Sequence, residues 1–214
     1  MVQELNSAQD KPNAGSQPPL LPIYDGADAR DGLEEIIEQM AAGLYSLASM
    51  LVGEGEASVR LVEAAIASAK ISPCADPREA RAGSRWSLAR SAVELLAARS
   101  PDSLAAPEGL EPASTCIEED DLNAAGLDQE ELQRMISGPE RDRVRKWLAG
   151  LPEVTRTVFV LRAVAGLNAA ETAALLKEQG GEQAAGWTRA AVGEVFRQGL
   201  CSLASQLLHA SAGR

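Results

Sequence analysis

Residues 151–176 read Leu-Pro-Glu-Val-Thr-Arg-Thr-Val-Phe-Val-Leu-Arg-Ala-Val-Ala-Gly-Leu-Asn-Ala-Ala-Glu-Thr-Ala-Ala-Leu-Leu. Pro152 suits the opening of a helix, where its missing N–H is not needed. Val154, Val158, Leu161 and Val164 recur at three- and four-residue spacing, which puts them on one helical face. Gly166 is placed to end that helix in a left-handed conformation. Asn168 is a good N-cap, and Glu171 three positions later completes a capping-box pattern. A second helix, Ala169 to Lys177, then buries Thr172, Leu175 and Leu176.

After a Gly-rich gap a third helix starts near Thr188, a good N-cap. Val192, Phe196, Leu200, Leu203 and Leu207 form its apolar stripe. Two short helices and a long one, joined by Gly-containing turns, describe a helix-turn-helix domain or a plain three-helix bundle. Periodicity alone does not separate the two.

The segment from Trp147 to Leu176 resembles the start of region 4 of the sigma-70-family RNA polymerase factors, above all the small extracytoplasmic-function group. The family shows a "LP…R.VF.LR…GLS..EIA..L" pattern, and order and spacing both agree. The likeness resumes from Thr188 to Leu203, where the family carries its recognition helix. It implies a DNA-binding role for Thr188, Arg189, Arg197 and Gln198, with Arg156 and Arg162 in support. The family's recognition helix is rich in basic side chains. Gly193, Val195 and Leu200 stand at several of those places here. The turn between the two helices, Lys177 to Trp187, is also longer than the family's.

The rest of the chain fits a helical protein. Its 214 residues suggest one or two domains, and aromatic residues make up only 3%, which favours helices over a sheet. No apolar run reaches the length of a membrane span, and the start lacks the basic and apolar regions of a signal peptide. Cys74, Cys116 and Cys201 are far apart, there is no CxxC, and His209 is the single histidine. That composition argues against a metal centre or a Cys/His catalytic site and fits a reducing cytoplasm. No nucleophile–base order or phosphate loop points to an enzyme, and no cofactor is expected.

Charge divides the chain. Residues 1–138 hold 10 basic and 24 acidic side chains, a net of −14, while residues 139–214 hold 10 and 7, a net of +3. Residues 1–30 lack sustained periodicity and read as a flexible tail. From Asp31, Leu33, Ile36, Ile37, Met40, Leu44, Leu47 and Leu51 form a helical stripe. A second helix is expected to bury Val59, Val62, Ile66 and Ala69. A third, about Arg81 to Arg99, is expected to bury Trp86, Ala89, Val93 and Leu96. Three helices of this size make a small bundle over residues 31–100.

This half resembles sigma region 2, through residues 44–69 and through Trp86-Ser-Leu-Ala-Arg-Ser-Ala-Val-Glu-Leu-Leu. The resemblance implies that Leu61, Val62, Glu63 and Ile66 contact core RNA polymerase. Arg60 and Ala64 replace acids usual in the family. Residues 101–138, with ten acids and one arginine, form an acidic linker to the domain at 139–214. Its run Glu118-Glu119-Asp120-Asp121 reads as a solvated stretch, or as an arm that mimics DNA phosphates.

The expected fold is therefore all-α: a region-2-like bundle, an acidic linker and a region-4-like helix-turn-helix domain. The expected function is that of a sigma-like transcription initiation protein. Its expected partners are core RNA polymerase, promoter DNA and an anti-sigma protein, with no membrane involved. The alternative is a degenerate homologue that acts by protein contact, as adaptor or decoy, with little DNA binding.

Overall fold

In the computed structural model the described residues are 40–68, 76–109 and 141–212. They form seven α-helices and two short 3-10 turns, with no strand among them. The fold is all-α. The described helices are α1 (40–52), α2 (Glu56–Ser68), α3 (Pro77–Arg99), α4 (Arg141–Gly150), α5 (Glu153–Ala163), α6 (Ala169–Gln179) and α7 (Arg189–Ala212). None is long and apolar enough to cross a membrane. The expected tail at 1–30, helix start at Asp31–Ile37, and acidic run at 118–121 lie outside the described residues.

The first half is a three-helix unit. Met40, Leu44, Leu47 and Leu51 on α1 are buried, as their spacing predicts. Gly53 and Gly55 both have positive φ, and the buried Ser58 hydroxyl donates to the Gly53 carbonyl, which seals the α1–α2 turn. Helix α2 is rotated from the expected register. Its buried residues are Ser58, Leu61, Val62 and Ala65, while Val59 is 43% exposed. Pro77 opens α3, four residues before the expected start, with Asp76 as N-cap accepting from the Arg78 N–H at 2.8 Å. Ala89, Val93 and Leu96 are buried as expected, but Trp86 is 38% exposed. The register explains this: Leu88, Ala89, Ala92 and Val93 take the inward face, and Trp86 falls beside it.

The second half follows the sequence reading closely. Gly166 has φ +83° and lets the Leu167 N–H return to the Leu161 carbonyl at 3.1 Å. The Asn168–Glu171 capping box is complete: Asn168 Oδ1 accepts from the N–H groups of Ala170 and Glu171, and Glu171 Oε2 accepts from the Asn168 N–H at 2.8 Å. Thr188 caps α7 by accepting the Ala191 N–H at 3.1 Å. Helices α5, α6 and α7 pack on one another. Phe159 and Phe196 lie 5.5 Å apart, and Trp147 meets Phe159 edge-on at 5.0 Å. A Cβ at Gly199 would fall 2.9 Å from Phe159 Cδ2, so glycine is what lets α7 approach α5 here.

The two halves share one continuous cluster of buried residues. The joint has three parts. Helix α3 packs against α6. The 3-10 turn Pro101–Leu104 at the start of the expected linker packs against the turn Glu182–Ala184 in the α6–α7 gap. There the fully buried Trp187 indole donates to the Leu104 carbonyl at 2.9 Å, and the Ala106 N–H donates to the Gln183 carbonyl at 3.1 Å. Elsewhere between the halves Arg145 on α4 reaches Glu54 at 2.8 Å and Ser46 at 3.4 Å. The long turn is thus a docking element, and residues 101–106 belong to the folded unit, with Leu104 in its core.

Replacing Trp187 by Ala should lower the unfolding free energy by about 3–5 kcal/mol, the usual range for a buried aromatic. Trp187→Phe keeps most of the volume but strips the Leu104 carbonyl of its donor, a loss of about 1–3 kcal/mol. Urea unfolding of the two variants and the parent measures both. A Phe variant as stable as the parent would show that the indole hydrogen bond contributes nothing to the joint.

Candidate nucleic-acid and partner interfaces

Six residues were expected to face DNA, and the structure separates them. Thr188 and Arg189 are exposed at the start of α7. Thr188 is also the N-cap, so its hydroxyl is already used by the Ala191 N–H. Gln198 is half-buried. Arg197 pairs with Glu194 one turn earlier, Nη1 to Oε2 at 2.7 Å, and the Glu194 side chain is only 11% exposed. Pulling Arg197 toward a phosphate would break a close pair with a carboxylate in a largely dry site, which is costly.

Arg162 serves the fold. Its Nη1 donates to the Leu167 carbonyl at 3.0 Å, and its guanidinium sits 5.0 Å over the Phe196 ring. It holds the α5–α6 turn against α7. Arg156 is half-buried and lines a cavity of about 380 Å³ between the halves, with Ser49, Glu54, Arg145 and Lys146.

The outward stripe of α7 is therefore Ala190, Gly193 and Arg197, with Arg189 beside it. These offsets of three and four place them along one face. Among the described residues of α7, Arg189 is the exposed arginine without an ion pair. The basic residues of α4, Arg141, Arg143, Arg145 and Lys146, are also partly committed: Arg145 points to Glu54, and Arg141 lies 3.5 Å from Asp142. Bidentate guanine readout needs an arginine that can leave its protein partners.

The expected polymerase face on α2 is narrower than the resemblance implied. Leu61 and Val62 are 6% and 8% exposed and belong to the core of the first half, so they are corrected to packing residues. Glu63 is exposed and Ile66 half-buried. Arg60, Ala64 and the exposed Val59 complete the outer surface of this helix. Arg60 is held on its own helix by Glu56 at 3.4 Å. Cys201 on α7 is disulfide-bonded, a state that a reducing compartment does not favour.

The sequence reading missed a second basic group. Arg78, Arg81 and Arg85 lie on one side of α3, with Trp86 beside Arg85, and all four line a cleft toward the α5–α6 turn. The signal was present in the spacing of three and four residues. It was obscured because Trp86 was assigned to the core.

The two classes of arginine should respond differently to removal. Arg162→Ala should lower stability by about 1–3 kcal/mol, through the lost hydrogen bond and the lost ring contact, and leave duplex-DNA affinity unchanged. Arg189→Ala should leave stability unchanged and remove most of whatever duplex affinity the full chain has. Thermal melting paired with a DNA titration at two salt concentrations measures both. A fall in affinity for Arg162→Ala with no change in melting would reverse the assignment.

No family model, curated protein or solved structure matches this chain.

Proposed function

We propose that this chain is a sigma-like transcription protein that works mainly through contact with core RNA polymerase, with only a weak direct hold on duplex promoter DNA. The observation that carries this reading is the state of the recognition-type helix. Its outward face offers Ala190, Gly193 and an Arg197 already paired with Glu194, leaving Arg189 to meet phosphates. Duplex affinity rests largely on the number of phosphates neutralised, so a salt slope on the order of one or two contacts is expected.

Support for the polymerase half of the reading comes from the region-2 and region-4 resemblance and from the outer surface of α2. Glu63 and Ile66 sit there beside the exposed Val59, an apolar group with a charged rim. Such a surface suits a helical partner, with the apolar groups supplying affinity and Glu63 supplying orientation. The acidic excess of residues 1–138 opposes approach to DNA in either case.

Co-purification of the full chain with core RNA polymerase tests the proposal. The parent chain should be retained. Glu63→Arg, at an exposed position, should reduce retention by about tenfold, which corresponds to 1.4 kcal/mol. Val59→Asp should do the same without loss of helical signal by circular dichroism. Failure of the parent chain to bind would reject the polymerase reading. Full retention of both variants would reject this face of α2.

A further inference from the structure

The cleft between the first half of α3 and the α5–α6 turn has a composition that the transcription reading does not use. It measures about 770 Å³, within the size range of small-molecule sites. One wall carries Arg78, Arg81, Arg85 and Trp86 from the first half of the chain, and the other carries Leu167 and Glu171 from the second.

Three features single it out. First, the arginines at offsets of three and four project along one helix face, and none of their guanidinium groups makes an ion pair or hydrogen bond among the described residues. Among the described residues the carboxylate lining the cleft is Glu171. Second, Arg85 is half-buried, and burial together with the charge of Arg81 lowers its pKa. Like charges in a partly dry wall are unfavourable unless an anion compensates them. Third, Trp86 is one of two exposed large hydrophobic side chains among the described residues, and it lines this cleft.

These features specify a ligand with two chemistries. Planar guanidinium groups match phosphate oxygens in paired hydrogen bonds. An exposed indole beside them offers a stacking surface for a planar base. Glu171 would repel a bare anion, but one of its oxygens is held by the Asn168 N–H, and the other can accept an N–H or O–H from a base amino group or a ribose. A phosphate alone would leave Trp86 and Glu171 unused.

We infer that this cleft binds a nucleoside di- or triphosphate. Its phosphates lie on Arg78, Arg81 and Arg85, its base stacks on Trp86, and a base or sugar donor meets Glu171. Both halves of the chain contribute a wall, so the ligand binds the packed form and stabilises it by mass action. The nucleotide therefore acts on how firmly the two halves are held together. This inference stands apart from the polymerase reading and survives its failure.

Calorimetric titration of the full chain with ATP, inorganic triphosphate and a ten-residue oligothymidylate tests it. ATP should bind at least about tenfold tighter than triphosphate, and should raise the thermal midpoint. The Arg78→Ala/Arg81→Ala variant alters two exposed side chains. It should melt like the parent without nucleotide and bind ATP at least about tenfold more weakly. Trp86→Ala should bring ATP affinity down to that of triphosphate. Three results would overturn the inference: no ATP binding, triphosphate binding as tightly as ATP, or oligothymidylate binding more tightly than ATP. The last would make the cleft a single-strand groove instead.

Discussion

The hydrogen bond from the buried Trp187 indole to the Leu104 carbonyl is the contact on which the arrangement of this molecule depends. It joins residues 83 positions apart in sequence. It also lies where two irregular segments meet, the start of the expected linker and the turn between α6 and α7. Each has only a short run of 3-10 hydrogen bonds of its own. Each also satisfies backbone groups of the other, through Trp187 to Leu104 and Ala106 to Gln183. A buried carbonyl without a donor is expensive, so the segments are stable together in a way that neither is alone. With the joint made, α3 lies on α6 and one core runs through both halves.

That joint bears on the helix-turn-helix role proposed for α5–α7. In a free module the recognition helix projects into the groove while its partner crosses the backbone. Here the long turn leading to α7 is pinned to the first half, and several arginines are engaged by the protein. Arg162 and Arg197 are the clearest cases. Their positions were read as contacts for DNA, yet each completes a local structure: one ties the α5–α6 turn to Phe196, the other offsets the charge of Glu194. A surface arginine and a structural arginine occupy the same places in a helical pattern. Only the neighbours distinguish them.

Much of the second half was legible beforehand because its signals are local. The Asn168–Glu171 box, the Thr188 cap and the Gly166 turn are each decided within a few residues, and each formed as expected. The stripe Val192, Phe196, Leu200 and Leu203 was legible for the same reason. Helix α2 was harder. Apolar and small residues alternate so evenly in Glu56–Ser68 that two registers fit, and the one burying Leu61 and Ala65 prevailed over the one burying Val59. Trp86 was misjudged by its size: a large aromatic is usually buried, but Leu88 and Ala89 already filled the inward face. Leu104 and Trp187 were out of reach of any local rule. Each lies in a segment that composition marks as connecting, and each acquires its role only from the other.

A second contact between the halves is built on different physics. Where Trp187 is sealed from water, the Arg145–Glu54 pair is open to it, with 70% of the Glu54 side chain exposed. Added salt weakens an exposed ion pair and leaves a buried neutral hydrogen bond almost untouched. The two edges of the joint therefore answer to different variables. Rising ionic strength loosens the edge beside α4 and spares the edge at Trp187. The molecule has in effect a hinge and a latch, and the salt concentration around it acts on the latch alone.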